Sequence, residues 1–309
     1  MAYRRGLRAD ITQSDLTFVV SLVVAIVAWL PGHWADGSYW GGLGMSVLTA
    51  YVMLEMNNRC HLLRLRSRMM SSSYLLLVAA LSIVHEFSLS LVVPLCLVGA
   101  NLLLFGAYQQ RAAAGRTFYA FLLLGLAAWA FPLVLLLVLP LWFCMGQYLR
   151  MLSRRTWAAS LLGLFAAAGY MVAYQLLTTG QLLPAHWLTY VETFAVYDHL
   201  PTRLEMVCMG GVALIVAWGS LHFRANAYRD NMRTQMSFTL MRYELYLTML
   251  IAGLWPAEWY TCMLMSLAAG TPFVGHYFTL AEGRWHNRAC WLLALLIVAM
   301  GVVSHFSLL

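Results

Sequence analysis

Trp157 to Leu176 reads WAASLLGLFAAAGYMVAYQL, twenty residues without a charge, directly after Arg154 and Arg155. A helix of that length is about 30 Å long, the thickness of the hydrocarbon layer of a bilayer. Ala159, Gly163 and Ala167 recur four apart, so three small side chains share one face and predict close packing against a second helix. Working outward, apolar runs between breakers place further spans near 17–31, 43–57, 73–87, 91–107, 118–131, 132–148, 205–222, 243–255, 258–272 and 289–306. These runs leave only short connections. The expected fold class is therefore all-α: a polytopic transmembrane helix bundle of nine to eleven spans, forming one membrane domain over residues 1–309 with no soluble domain.

Composition agrees. The 309 residues are 62% hydrophobic and 10% charged, with a mean hydropathy of +0.73, whereas a water-soluble globule is nearer one-half apolar. Nucleic-acid readers, soluble dehydrogenases and secreted disulfide scaffolds are excluded. All 19 basic residues are arginine, which excludes a P-loop lysine, a Schiff-base lysine and a lysine proton carrier. Cys60, Cys96, Cys144, Cys208, Cys262 and Cys290 occur singly, with no CxxC pair, and read as small apolar fillers. No cofactor and no metal set is spelled out by spacing.

The arginines orient the bundle, because cytoplasmic loops hold them back during insertion. With a cytoplasmic N-terminus, only Arg203 falls outside. Arg4, Arg5 and Arg8, the cluster Arg59 to Arg68, Arg111 and Arg116, Arg150 to Arg155, the loop Arg224 to Arg242, and Arg284 and Arg288 all fall inside. The C-terminus is then outside. The basic start ahead of an apolar run has the look of a secretory signal, but the run is long enough to remain as an anchor. Three hairpins, 73–107, 118–148 and 243–272, have arms near 14 residues, about 21 Å, too short for full crossings. Helix breaks are expected at Phe131-Pro132 and Trp255-Pro256, and some hairpins there as re-entrant.

Acidic residues take the opposite face. Asp36, Glu86, Glu192, Asp198 and Glu258, with His33, His85, His186 and His199, lie in outside loops, and Glu205 opens a span there. General acid/base or metal chemistry needs such groups to converge from separate segments. Asp36, in the Gly-rich loop PGHWADGSYWGG, holds the position in which multi-span glycosyltransferases acting on lipid-linked sugars keep a catalytic acid. His85 and Glu86, at a hairpin tip, would be further catalytic groups; Trp34, Trp187, Tyr190 and Glu258 would contact substrate. Trp34 and Trp40 also suit an interfacial aromatic belt. Trp187, Tyr190, Phe194 and Tyr197, spaced 3, 4 and 3 after Pro184, predict an amphipathic interfacial helix that either gates a lipid or ties two spans together. Glu55 and Glu244 sit at inner span ends, where each can neutralise a nearby arginine. The arginine loops suit anionic lipid headgroups as well as topology.

Asn57-Asn58, then Leu63, Arg64, Arg66, Ser67 and Arg68, then Tyr74, then Ala100-Asn101 before Arg111, and the Phe131-Pro132 break together carry a resemblance. Over residues 57–180 the chain resembles an uncharacterised family of polytopic inner-membrane proteins from Bacteroidota. That resemblance implies a Gram-negative inner membrane and a periplasmic outside face. The functional expectation is an envelope-assembly protein acting there on a lipid-linked substrate of the polyprenyl-phosphate sugar type, glycosyltransferase- or polymerase-like. A lipid or amphiphile transporter or flippase, using polar residues such as Asn101, Gln147 and Gln175, is the alternative, as is a non-catalytic subunit of an envelope complex. Membrane lipids, a lipid-linked glycan and a membrane-protein partner are the expected partners; nucleic acid is not.

Overall fold

In the computed structural model, residues 11, 12, 14–30, 37–180, 184, 187 and 201–306 are described. Among them the chain is helical throughout, with no strand. The α-helices are α1 (Thr17–Trp29), α2 (Gly37–Cys60), α3 (Met69–Ala79), α4 (Val92–Gly106), α5 (Ala114–Ala130), α6 (Val138–Gln147), α7 (Arg154–Thr178), α8 (Arg203–Asn226), α9 (Met232–Leu254), α10 (Trp259–Leu280) and α11 (Arg284–Phe306).

Helix boundaries follow local chemistry. Ser153 and Thr202 open α7 and α8 with capping boxes, in which the cap hydroxyl accepts the N3 amide and the N3 side chain accepts the cap amide. In α8 that N3 residue is Glu205, whose carboxylate accepts the Thr202 amide at 2.6 Å; its place at the head of the span is thereby accounted for. Both proline breaks fall where the sequence puts them. Phe131 is extended and Trp255 has left the helical region, each followed by a proline-led 3-10 turn, Pro132–Leu137 and Pro256–Glu258, because the proline ring crowds a helical predecessor. Pro272, by contrast, is accommodated inside α10.

Four stretches are long and apolar enough to cross a membrane: Leu89–Gly106, Arg154–Thr178, Arg203–Arg229 and Arg284–Ser304. In α7 only 17% of the apolar window is buried, and Leu162, Phe165, Tyr170 and Leu177 are exposed along it. An apolar surface that continuous suits lipid rather than water. The helix α3, with 11 residues, is about 16 Å long and too short to cross alone. One expectation is overturned: residues 232–242, read as part of an inside loop, are the first turns of α9. Met, Gln and Arg are good helix formers, so the segment lacks apolar character without lacking helicity.

The chain forms two compact units. The first comprises residues 1–88, 202–234 and 270–309; the second comprises 89–201 and 235–269. In the first, α3 packs against α1 and α2, and α8 packs against α11. Gly275 of α10 lies so close to α3 that a side chain there would come within 2.7 Å of the Met70 backbone. The Ser82 hydroxyl donates to the Ser304 carbonyl at 2.9 Å, tying the turn after α3 to α11. In the second unit, α5 is packed between α4 and α7. The small face predicted for α7 is the one used: Ala159, Gly163 and Ala167 are buried, and Gly163 leaves no room for a Cβ against the Phe118 carbonyl. Trp142 of α6 donates to Ser160 of α7 at 3.0 Å.

Candidate functional site

The α2 helix of the first unit ends at Cys60, and His61 turns the chain with a φ of 50°, a left-handed conformation unusual outside glycine. The following loop, 61–68, is braced at both ends by Asn57. Asn57 donates to the Ser67 carbonyl at 2.8 Å and accepts the Leu63 amide at 3.1 Å. So pinned, the loop lines a polar cavity of about 500 Å³ with Asn57, Asn58, His61, Arg64, Arg66, Ser67 and Arg68, closed by Asn231 and Thr234 of the neighbouring segment.

The charge at this cavity is anchored from below. Asp230, fully buried, pairs through Oδ1 with Arg64 Nε at 2.7 Å and through Oδ2 with His276 Nε2 at 3.0 Å. The Arg64 contact is made by Nε, leaving the two terminal amino groups of its guanidinium for the cavity. Arg68 and Arg66 reach Asp15 at 3.2 and 3.8 Å. Three guanidiniums against two carboxylates leave an excess of one positive charge. Arg64 and Arg68 are only 36% and 33% exposed, while Arg66 is 85% exposed. The arrangement offers partly desolvated fork donors to a phosphate or carboxylate.

A second cavity in the same unit, about 220 Å³, is almost wholly apolar, lined by Ile11, Thr12, Met69, Leu76, Phe278, Trp291 and Ile297 among others. The two share a wall. Ser67 of the polar cavity donates to the carbonyl of Thr12, which lines the apolar one, at 2.5 Å, and lies 3.2 Å from the Thr279 hydroxyl. Arg68 faces one cavity and Met69 the other.

Of the residues expected from sequence to form an outside site, some fall in each unit and others outside the described residues. Asp36, Trp34 and Tyr190 lie outside the described residues. In the first unit, His85 is buried, stacked on Trp29 with ring centroids 3.6 Å apart, and its Nδ1 is 3.2 Å from the Tyr39 hydroxyl. That packing holds the imidazole as part of the core. Glu86, beside it, is exposed. In the second unit, Glu258 closes the Pro256–Glu258 turn, half-buried, and the Trp187 amide donates to the Pro184 carbonyl at 3.0 Å. No group of three or more His, Cys, Asp or Glu among the described residues could hold a metal ion.

Of the two acids read as sitting at inner span ends, one behaves differently from the sequence reading. Glu55 does pair with Arg59, at 2.5 Å, on the surface. Glu244 does not neutralise an arginine: it is buried in the second unit, 1% exposed, and its Oε2 accepts from Asn101 Nδ2 at 2.9 Å. The partner comes from α4, far away in sequence, and no local signal could reveal it. The Asp230 pairings were equally hidden, although the arginine loop itself was visible.

Comparison with protein families, curated proteins and solved structures finds no match to this chain.

Proposed function

We propose that this chain is an integral membrane protein that binds a lipid with a phosphate-bearing headgroup, the headgroup against Arg64 and Arg68 and the hydrocarbon in the adjoining apolar cavity. The observation that carries this reading is the common wall at Ser67 and Thr12, with guanidiniums on one side and an almost wholly apolar lining on the other. Amphiphiles match such a two-part site, and arginine forks match phosphate oxygens. In this reading α2, α9 and α10, with 24, 23 and 22 residues, are further spans alongside the four more apolar helices, and the shorter apolar helices α1, α3, α5 and α6 supply the remaining passages of a bundle of nine to eleven. The arginine-rich loops face the cytoplasm of a Gram-negative inner membrane, in keeping with the resemblance over residues 57–180.

The lipid class proposed is a polyprenyl phosphate or its sugar-bearing derivative, and the role is envelope assembly. Asp36 and Glu86 would act as acid and base on lipid-linked substrate that has reached the periplasmic face, across the bilayer from the Arg64 and Arg68 site. Transport of the same lipid is the second reading, favoured by the buried polar pair Asn101–Glu244, since intramembrane ionisable groups commonly mark transport paths.

Mass spectrometry of lipids retained in native nanodiscs tests the binding reading. A phosphate-bearing polyprenyl lipid is expected with the wild type, and its loss with Arg64→Ala plus Arg68→Ala. Retention of bulk zwitterionic phospholipid alone, indifferent to those substitutions, overturns it. If Asp36→Asn and Glu86→Gln leave the cellular phenotype untouched, the transferase version fails while lipid binding stands.

A further inference from the structure

The second unit holds a group that lipid binding does not use. Glu244 of α9 and Asn101 of α4 are both nearly inaccessible, at 1% and 3% exposure. One hydrogen bond joins them, Asn101 Nδ2 to Glu244 Oε2 at 2.9 Å. The two remaining acceptors, Glu244 Oε1 and Asn101 Oδ1, have no donor among the described residues and no accessible surface. Nor do the described residues supply a cation to the carboxyl. From α6 the facing titratable group is the Cys144 thiol, within electrostatic reach of the carboxyl. On α9 itself the Thr248 hydroxyl donates to the backbone carbonyl of Glu244 at 2.8 Å. The sequence neighbours turn to other partners: Arg242 to Thr239 at 3.5 Å, and Tyr243 to the Tyr148 hydroxyl at 3.1 Å.

A buried carboxylate with one neutral donor and two idle acceptors beside it is an expensive arrangement, because an uncompensated charge loses its hydration and gains little in return. A carboxylic acid and a primary amide, however, form a two-bonded ring: the amide N–H donates to one carboxyl oxygen, and the O–H on the other donates to the amide oxygen. One proton supplies the single missing donor and removes the charge.

We propose that Glu244 and Asn101 form a proton-binding site, with Glu244 held as the neutral acid and its Oε1 proton donated to Asn101 Oδ1. The reaction is simple proton uptake: solvent gives up a proton, the Oε1–H bond forms, and no other bond changes. The site does not depend on the lipid reading; it gives the second unit a chemistry of its own, and it is the kind of element through which proton movement couples to a membrane process.

Infrared difference spectroscopy of the full-length protein in nanodiscs at neutral pH, wild type minus Glu244→Gln, tests it. The expected result is a protonated-carboxyl carbonyl band present in the wild type and lost in Glu244→Gln. Melting supports the assignment if Glu244→Gln, which keeps a neutral amide and both hydrogen-bonding directions, melts with the wild type while Glu244→Ala melts earlier. Should Glu244→Gln not fold, Asn101→Leu provides the second measurement, because the same band must move toward that of a free acid. A wild-type spectrum with no protonated-carboxyl band overturns the proposal. So does loss of the band on adding sodium or potassium chloride at fixed pH, which would make the site a metal-cation site.

Discussion

Asp230 in the first unit and Glu244 in the second are both buried acids, yet their surroundings differ in kind. Asp230 meets a guanidinium and an imidazole, one on each oxygen. Glu244 meets one amide. The first is compensated by charge and keeps Arg64 in position beside the polar cavity; the second, among the described residues, has only a neutral side-chain partner and is buried where α9 meets α4. Burial alone therefore does not set the role of an intramolecular acid. What decides is whether the partner brings a charge, and whether that partner has donors left over for something else.

The largest expected effect breaks the first half of this contrast. Asp230→Ala strands Arg64 and His276 and should cost about 3–5 kcal/mol, read as a lower SDS midpoint in reversible unfolding, together with loss of retained phosphate-bearing lipid. Glu244→Ala, which orphans one amide in an apolar setting, should cost about 1–3 kcal/mol in the same assay; an effect as large as that of Asp230→Ala would mean that Glu244 is ionised and paired. Asn57→Ala removes two hydrogen bonds that pin the arginine loop, worth about 1 kcal/mol each, and should weaken lipid retention more than it lowers the unfolding midpoint. The smallest effect sharpens the second half. Asn101→Leu with Glu244→Leu deletes donor and acceptors together and should change stability by less than about 1 kcal/mol, whereas Asn101→Leu alone should be clearly worse than the pair.

What could be read in advance was local. A four-residue recurrence of small side chains on Trp157–Leu176 reports a packing face directly, and Gly163 proved to leave no room for a Cβ against α5. Prolines after Phe131 and Trp255 dictate backbone geometry whatever surrounds them. The arginine loop at 59–68 stood out by composition. What escaped were relations between distant segments. The start of α9 at Met232 was masked because Arg233 and Arg242 look like loop residues to any reading based on hydropathy. Glu244 was assigned to a nearby arginine because proximity in sequence was the only proximity visible. His85 looked like a reactive hairpin tip, yet the two aromatic rings that enclose it, Trp29 and Tyr39, come from separate helices. Asp36, Trp34 and Tyr190 fall outside the described residues, so their expected roles rest on mutation.

The Asp230 pairings have a consequence for biogenesis. Arg64 belongs to an early segment of the chain, Asp230 follows α8, and His276 lies in α10, with most of the second unit synthesised in between. If the chain inserts as proposed, its basic loop emerges already braced by Asn57 and with Asp15 beside Arg66 and Arg68, while Arg64 lacks its carboxylate until Asp230 leaves the ribosome. A chain halted after α7 would carry Arg64 uncompensated, and should bind anionic membrane more tightly than the finished protein does.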